Sequence, residues 1–157
     1  MSSFTLDNPV FLTYLFAASL MVLKVMGQGW MTVLRLMKSN SGFASPEDAK
    51  PGVLNPNPVP GQTDVNDYVD RSRRMHRNDL ENVLPFLSVG LLFVAVEPSL
   101  VLAQILMFGF VVTRAAHAVA YATARSHETR ATFYTIGSLI VIYMALHVAF
   151  VSAKGLF

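Results

Sequence analysis

Four apolar stretches separated by one long polar loop and two short turns set the plan of this chain. The first runs from about Pro9 to Met37, with Lys24 in its middle, Arg35 near its end and a soft Gly27-Gln28-Gly29 patch between them. It exceeds the ~20 residues a helix needs to cross a bilayer. The spacing predicts spans over about 9–37, 73–96, 98–125 and 130–152, with a polar loop over 38–72 that carries five prolines (Pro46, Pro51, Pro56, Pro58, Pro60). In the second and third stretches the uncharged parts, Asn82 to Val96 and Ser99 to Thr113, are only 15 residues each. Both are too short to span alone, so the charged turns beside them must lie at membrane depth. Pro85 sits where it would kink the second helix. Glu97-Pro98 leaves so little chain that the third helix must return antiparallel beside the second.

Composition agrees with this pattern. Of 157 residues 53% are hydrophobic and 14% charged, which is too apolar for an ordinary soluble domain of this size. The expectation is an all-α integral membrane protein: one membrane domain over 1–157, folded as an up-down four-transmembrane-helix bundle. The net charge of +2 comes from local arginine clusters rather than a basic surface, so nucleic acid is not an expected partner. With no cysteine there is no disulfide, thiolate metal site or cysteine nucleophile, and no His or carboxylate cluster has metal-ligand spacing. The amino terminus lacks a basic leader region, so the first stretch is read as a retained span.

Charge then changes the picture. Arg74, Arg77, Asn78 and Glu81 recur at i, i+3, i+4 and i+7, which places them on one helical stripe with Arg77 and Glu81 able to pair; His76 and Asp79 point elsewhere. Facing lipid, three ionised groups would cost about 7 to 10 kcal/mol at the bilayer centre, so the stripe is expected to face inward. The alternative is a solvated helix start above the membrane. Arg114, His117 and Tyr121 form a second stripe at i, i+3 and i+7, and Arg130, Tyr134 and Thr135 open the fourth helix. Lys24 is expected to find a structural partner, and the isolated His147 is read as structural too.

Lysines and arginines concentrate in the first loop and in the turn between the third and fourth spans. The positive-inside bias therefore makes those loops cytoplasmic and both termini luminal. In an up-down bundle this topology brings Arg74, Arg77, Asn78, Glu81, Arg114, His117, Tyr121 and Arg130 to one depth. Arginine forks suit carboxylates, Glu81 suits an ammonium, and Asn78, His117, Tyr121 and Tyr134 supply directional hydrogen bonds. A small zwitterion with two carboxylates fits that inventory.

Three stretches carry a resemblance: Phe-Ala-Ser-Pro-Glu-Asp-Ala (43–49), Arg-Arg-Met-His-Arg-Asn-Asp-Leu-Glu-Asn-Val-Leu-Pro-Phe (73–86) and Arg-Ala-Ala-His-Ala-Val-Ala-Tyr (114–121). With them the chain resembles the membrane-associated family of eicosanoid and glutathione metabolism, in the branch of the first microsomal glutathione transferase and microsomal prostaglandin E synthase. The resemblance implies a homotrimer in the endoplasmic reticulum membrane, with the mitochondrial outer membrane as a second location. It implies glutathione as co-substrate, bound between subunits near the cytoplasmic face. Arg77, Asn78, Glu81, His117, Tyr121, Arg130 and Tyr134 of one chain would hold it, with Arg35, Arg73 and Arg74 reaching in from a neighbour and Arg130 facing the sulfur.

The activity implied is conjugation of glutathione to lipophilic electrophiles, or reduction of lipid peroxides, drawn from the bilayer. The alternatives are isomerisation of a prostaglandin endoperoxide, with Asp48 and Arg130 as the acting pair, and a non-catalytic lipid-binding scaffold. Three departures bear on this. Ala131 stands where the prostaglandin synthase has a serine, Ala49 stands where the transferase has a reactive cysteine, and the Arg35-to-Phe43 spacing is two residues longer than in the family.

Overall fold

The computed structural model describes residues 3–53 and 55–156; Met1 and Ser2 of the amino-terminal stretch, Leu54 of the polar loop and the terminal Phe157 lie outside the described residues. Its long elements are α1 (Pro9–Ser39), α2 (Asp67–Ala95), α3 (Leu100–Ala122) and α4 (His127–Leu156), with one 3-10 turn at Pro46–Ala49. All four helices are long and apolar enough to cross a membrane. No strand occurs among the described residues.

Local chemistry sets the helix ends. Asn8 accepts the Val10 N–H at 2.9 Å ahead of Pro9, whose fixed φ suits a first turn, and Asn40 closes α1 in the left-handed region at φ 45°. The second helix starts six residues before the expected Arg73. Asn66 caps it by accepting the N–H groups of Tyr68 and Val69, and Asp67 and Asp70 add negative charge to the first turn. Those two acids also bind the arginines behind them: Asp67 holds Arg71 at 2.9 Å and Arg74 at 2.7 Å, and Asp70 holds Arg73 at 2.8 Å. The fourth helix likewise begins at His127, three residues before the expected Arg130. Pro85 lies within α2, where its missing N–H leaves one carbonyl of the helix ladder unbonded while helix continues on both sides.

Antiparallel pairing of α1 with α2 is fixed by contacts that climb one helix as they descend the other: Tyr14 Oη to the Leu87 carbonyl at 2.7 Å, Thr32 Oγ1 to Ser72 Oγ at 3.0 Å, and Arg35 Nη1 to the Tyr68 carbonyl at 2.8 Å. Gly90 makes the first of these possible, because a Cβ there would lie 2.8 Å from Cε2 of the Tyr14 ring. The third helix does run antiparallel to the second, with Phe86 and Phe110 stacked at 4.1 Å in the core. Its main packing, however, is against α4 and α1 rather than α2. Around the bundle the order is α1, α2, α4, α3, so that α2 and α4 are parallel neighbours, joined by Ser138 to Asn82 at 2.8 Å and by the Phe93 and His147 rings at 5.1 Å. His147 is thus a packing residue. Large apolar side chains on the outer faces, among them Leu23, Trp30, Ile105, Val112, Leu139 and Leu146, are exposed in the single chain. That is the surface a bilayer would cover.

The loop is built rather than loose. Asn55 and Gln62 are buried and bond reciprocally at 2.8 and 3.1 Å, Gln62 also donates to the Asn40 cap at 2.7 Å, and Asn66 donates to Ser41 Oγ at 2.6 Å. The end of α1 and the start of α2 are thereby stitched to the loop that joins them.

Candidate functional site

A cavity of about 200 Å³ opens where α2, α3 and α4 meet, lined by Asn78 from α2, His117 and Tyr121 from α3, and His127, Arg130, Ala131 and Tyr134 from α4. Asn78 Nδ2 donates to Tyr121 Oη at 2.6 Å. Because that oxygen accepts from Asn78, its own O–H is free to donate into the cavity. The Arg130 guanidinium lies over the Tyr121 ring at 4.6 Å, and its Nε donates to the Ser126 carbonyl at 3.3 Å. His117 is buried against Tyr121, with ring centroids 5.0 Å apart. At the rim, Tyr134 donates to Glu81 Oε2 at 3.3 Å.

Tyr121 and Arg130 also wall a second recess of about 150 Å³, completed by Arg71, Arg74, Ala124 and Arg125. Asp67 is the only carboxylate paired with these four arginines among the described residues. An arginine in the first turn of α4 meets the positive end of the helix dipole, an arrangement that an anion relieves. Directional donors on one side of Tyr121 and surplus positive charge on the other suit a ligand with a polar body and anionic ends.

The fold therefore gathers Asn78, His117, Tyr121, Arg130 and Tyr134, with Glu81 at the rim and Arg74 one recess away. Others of the expected set lie elsewhere. Arg77 and Arg73 line a groove of about 430 Å³ on the α1 side of α2, with Gly29, Thr32, Val33, His76 and Leu80. The expected stripe is split because Arg77 and Asn78 lie about 100° apart on the helix, and α2 is clasped between α1 and α4. Arg77 and Glu81 do not pair; among the described residues Arg77 has no ion-pair partner, and Glu81 turns to Tyr134. Arg35 is buried in its own chain, bonded to the Tyr68 carbonyl and 4.4 Å over the Tyr68 ring. Asp48 is exposed on the 3-10 turn and lines none of these spaces.

Two expectations are corrected by the core. Arg114 does not join the ligand stripe: it is wholly buried, donates to the Phe133 carbonyl at 3.3 Å and pairs with Asp79 at 3.6 Å. Asp79 does not point away but lies on the bundle axis, where it also holds Lys24 at 2.5 Å and accepts from Gln28. Lys24 has its structural partner. The cavity also includes His127, which lies between the spans that the sequence predicts; starting α4 at His127 puts it three residues before Arg130 on the same face.

Residues 13–150 match the protein-family model described as the MAPEG family. The chain belongs to the MAPEG family. Its relatives include prostaglandin E synthase of Equus caballus, 34% identical over 144 residues that cover 91% of this chain and 90% of the relative. Microsomal glutathione S-transferase 1 of Rattus norvegicus is 32% identical over 140 residues, 89% of each chain, and prostaglandin E synthase of Homo sapiens is 32% identical over 155 residues, 98% and 97%. Relatives of both names span nearly the full MAPEG chain at similar identity, so identity alone does not choose between their activities. With its four apolar helices, this MAPEG chain is a multi-pass membrane protein.

Proposed function

We propose that this MAPEG protein is a glutathione transferase that joins the glutathione sulfur to lipophilic electrophiles taken from the bilayer. The observation that carries the reading is Tyr121, held by Asn78 with its hydroxyl proton free and its ring under Arg130, at the wall shared by a polar cavity and an arginine recess. Relatives named microsomal glutathione S-transferase 1 support it.

In this reading the arginine recess takes a glutathione carboxylate and Glu81 the ammonium. The thiol loses its proton to solvent, and Arg130 and the Tyr121 hydroxyl stabilise the thiolate. Lowering a thiol pKa by ~2 units takes about 2.7 kcal/mol, within reach of a charge-assisted hydrogen bond at about 1.5 to 3 kcal/mol. The sulfur then forms a bond to the electrophilic carbon, and a leaving group such as halide departs with the bonding pair. The same thiolate would attack the terminal oxygen of a lipid hydroperoxide, breaking the O–O bond to release the alcohol and leave glutathione sulfenic acid, from which a second glutathione thiol displaces water to form the disulfide.

Endoperoxide isomerisation is the second reading, since the relatives also include prostaglandin E synthases. Two observations rank it lower: Ala131, beside Arg130 in the cavity, offers only a methyl group, and Asp48 lies outside. We further propose that the protein assembles as a homotrimer in the endoplasmic reticulum membrane, with the α1–α2 groove and its Arg73 and Arg77 meeting a neighbouring copy. Calorimetry with reduced glutathione and parallel assays with an aryl halide and an endoperoxide test the function. Binding with aryl-halide turnover is expected. Endoperoxide turnover alone would reverse the ranking, and a correctly assembled protein that binds no glutathione would be a lipid-binding scaffold instead.

A further inference from the structure

Lys24 of α1, Asp79 of α2 and Arg114 of α3 meet in the bundle interior, and Arg114 reaches the Phe133 carbonyl of α4, so that all four helices contribute to one polar knot. Asp79 and Arg114 are completely buried, and the Lys24 side chain is 15% exposed. Two cations share one carboxylate, leaving a surplus of one positive charge. That charge is poorly quenched: Arg114 Nε and Nη1 have no hydrogen-bond partner among the described residues. For stability alone this is a costly arrangement, because burying unbalanced charge in a bundle is opposed by desolvation.

The knot lies directly behind the cavity. Each of three lining residues is within a turn of a knot residue: Asn78 adjoins Asp79, His117 follows Arg114 by three, and Tyr134 adjoins Phe133. The Arg114 guanidinium is 5.7 Å from the Tyr134 ring centroid. His117, 1% exposed, stands between knot and cavity. Gly137 keeps the space open, since a Cβ there would come within 3.4 Å of Arg114 Nε.

We propose that the Lys24–Asp79–Arg114 knot is an electrostatic part of the site, its surplus positive charge favouring the anionic form of a bound glutathione sulfur; this rests on the glutathione reading above. Lys24 touches no ligand and acts at a distance. It is the member whose charge can be removed while Asp79 keeps Arg114 and Gln28 as partners. The charged and titratable groups around the knot and cavity are Lys24 from α1, Asp79 and Glu81 from α2, Arg114, His117 and Tyr121 from α3, and His127, Arg130 and Tyr134 from α4. At an effective dielectric of about 20, a unit charge ~10 Å from an anion shifts its pKa by roughly one unit.

The experiment titrates the thiolate absorbance of glutathione bound to purified wild type, Lys24→Met, Lys24→Gln and Lys24→Arg, with size and glutathione affinity measured on each. The expected result is a thiol pKa about one unit higher in the Met and Gln variants, wild-type in Arg, with the pH profile of kcat moving in parallel. Wild-type protein that binds no glutathione would overturn the functional reading and this inference together. Binding with an unchanged thiol pKa in Met and Gln would overturn this inference alone. Gln retains a donor for Asp79, so if neither neutral variant assembles, the knot is a folding requirement and the electrostatic role is rejected.

Discussion

At the scale of single residues, Tyr121 joins three roles: its oxygen accepts from Asn78, which leaves its O–H available to donate, its side chain lines the cavity, and its ring carries the Arg130 guanidinium. Tyr121→Phe should lower kcat/KM about tenfold, because it removes one donor and leaves the Asn78 amide unpartnered. Steady-state kinetics with an aryl halide reads this. Arg130→Ala should lower kcat about 10- to 100-fold with a smaller change in glutathione affinity, and Lys should rescue part of it by restoring charge without the fork. Loss of the thiolate absorbance in the Ala variant separates this from a mere interface anchor, which would leave turnover intact. For Glu81→Gln the structure sets a modest expectation. Glu81 is exposed at the rim, and an exposed ion pair contributes about 1 kcal/mol or less, so KM for glutathione should rise up to about fivefold. His117 and Tyr121 were legible as one wall of the cavity from their spacing on the third helix, because helical geometry converts spacing into a face. What spacing does not carry is which neighbour a face meets. Arg114 falls on the site stripe by spacing, yet it finds its partner, Asp79, across the bundle.

Among the elements, helix existence followed from apolar length, while helix starts did not. Asn66 with Asp67 and Asp70 extends α2 into the polar loop, and a capped, acid-rich first turn looks in sequence like any hydrophilic stretch. The α1–α2 crossing supplies a test of element packing. Gly90→Ala would put a Cβ within 2.8 Å of Tyr14 Cε2, and overpacking of this kind costs about 1 to 3 kcal/mol against the ~1 kcal/mol of helix propensity that Ala gains over Gly. Thermal unfolding in detergent should show a lower Tm for Gly90→Ala, with much of the loss recovered when Tyr14→Leu is added. A Tm at or above wild type would mean that the ring moves aside at little cost.

For the whole molecule, the lack of cysteine gives a clean background for mapping sidedness. The positive-inside bias predicts a cytoplasmic first loop. Thr63→Cys should therefore react with an impermeant maleimide in sealed microsomes, and Thr5→Cys should react only after the membrane is opened. The reverse pattern would put the cavity on the luminal side. The count of spans was readable in the sequence, but the order α1, α2, α4, α3 around the bundle was not. Short connections dictate that successive helices are antiparallel, and they say nothing about which of them are diagonal.

That order has a consequence for biosynthesis. The knot between Lys24, Asp79 and Arg114 is supplied by the first three helices to leave the ribosome, so Asp79 can meet both cations before the chain is finished. The cavity cannot form then, because Arg130, Ala131 and Tyr134 arrive only with α4, which must dock beside α2 across a gap of one whole helix in sequence. The interior charges therefore meet before the cavity has its third wall. The last helix to be made is the one that closes it.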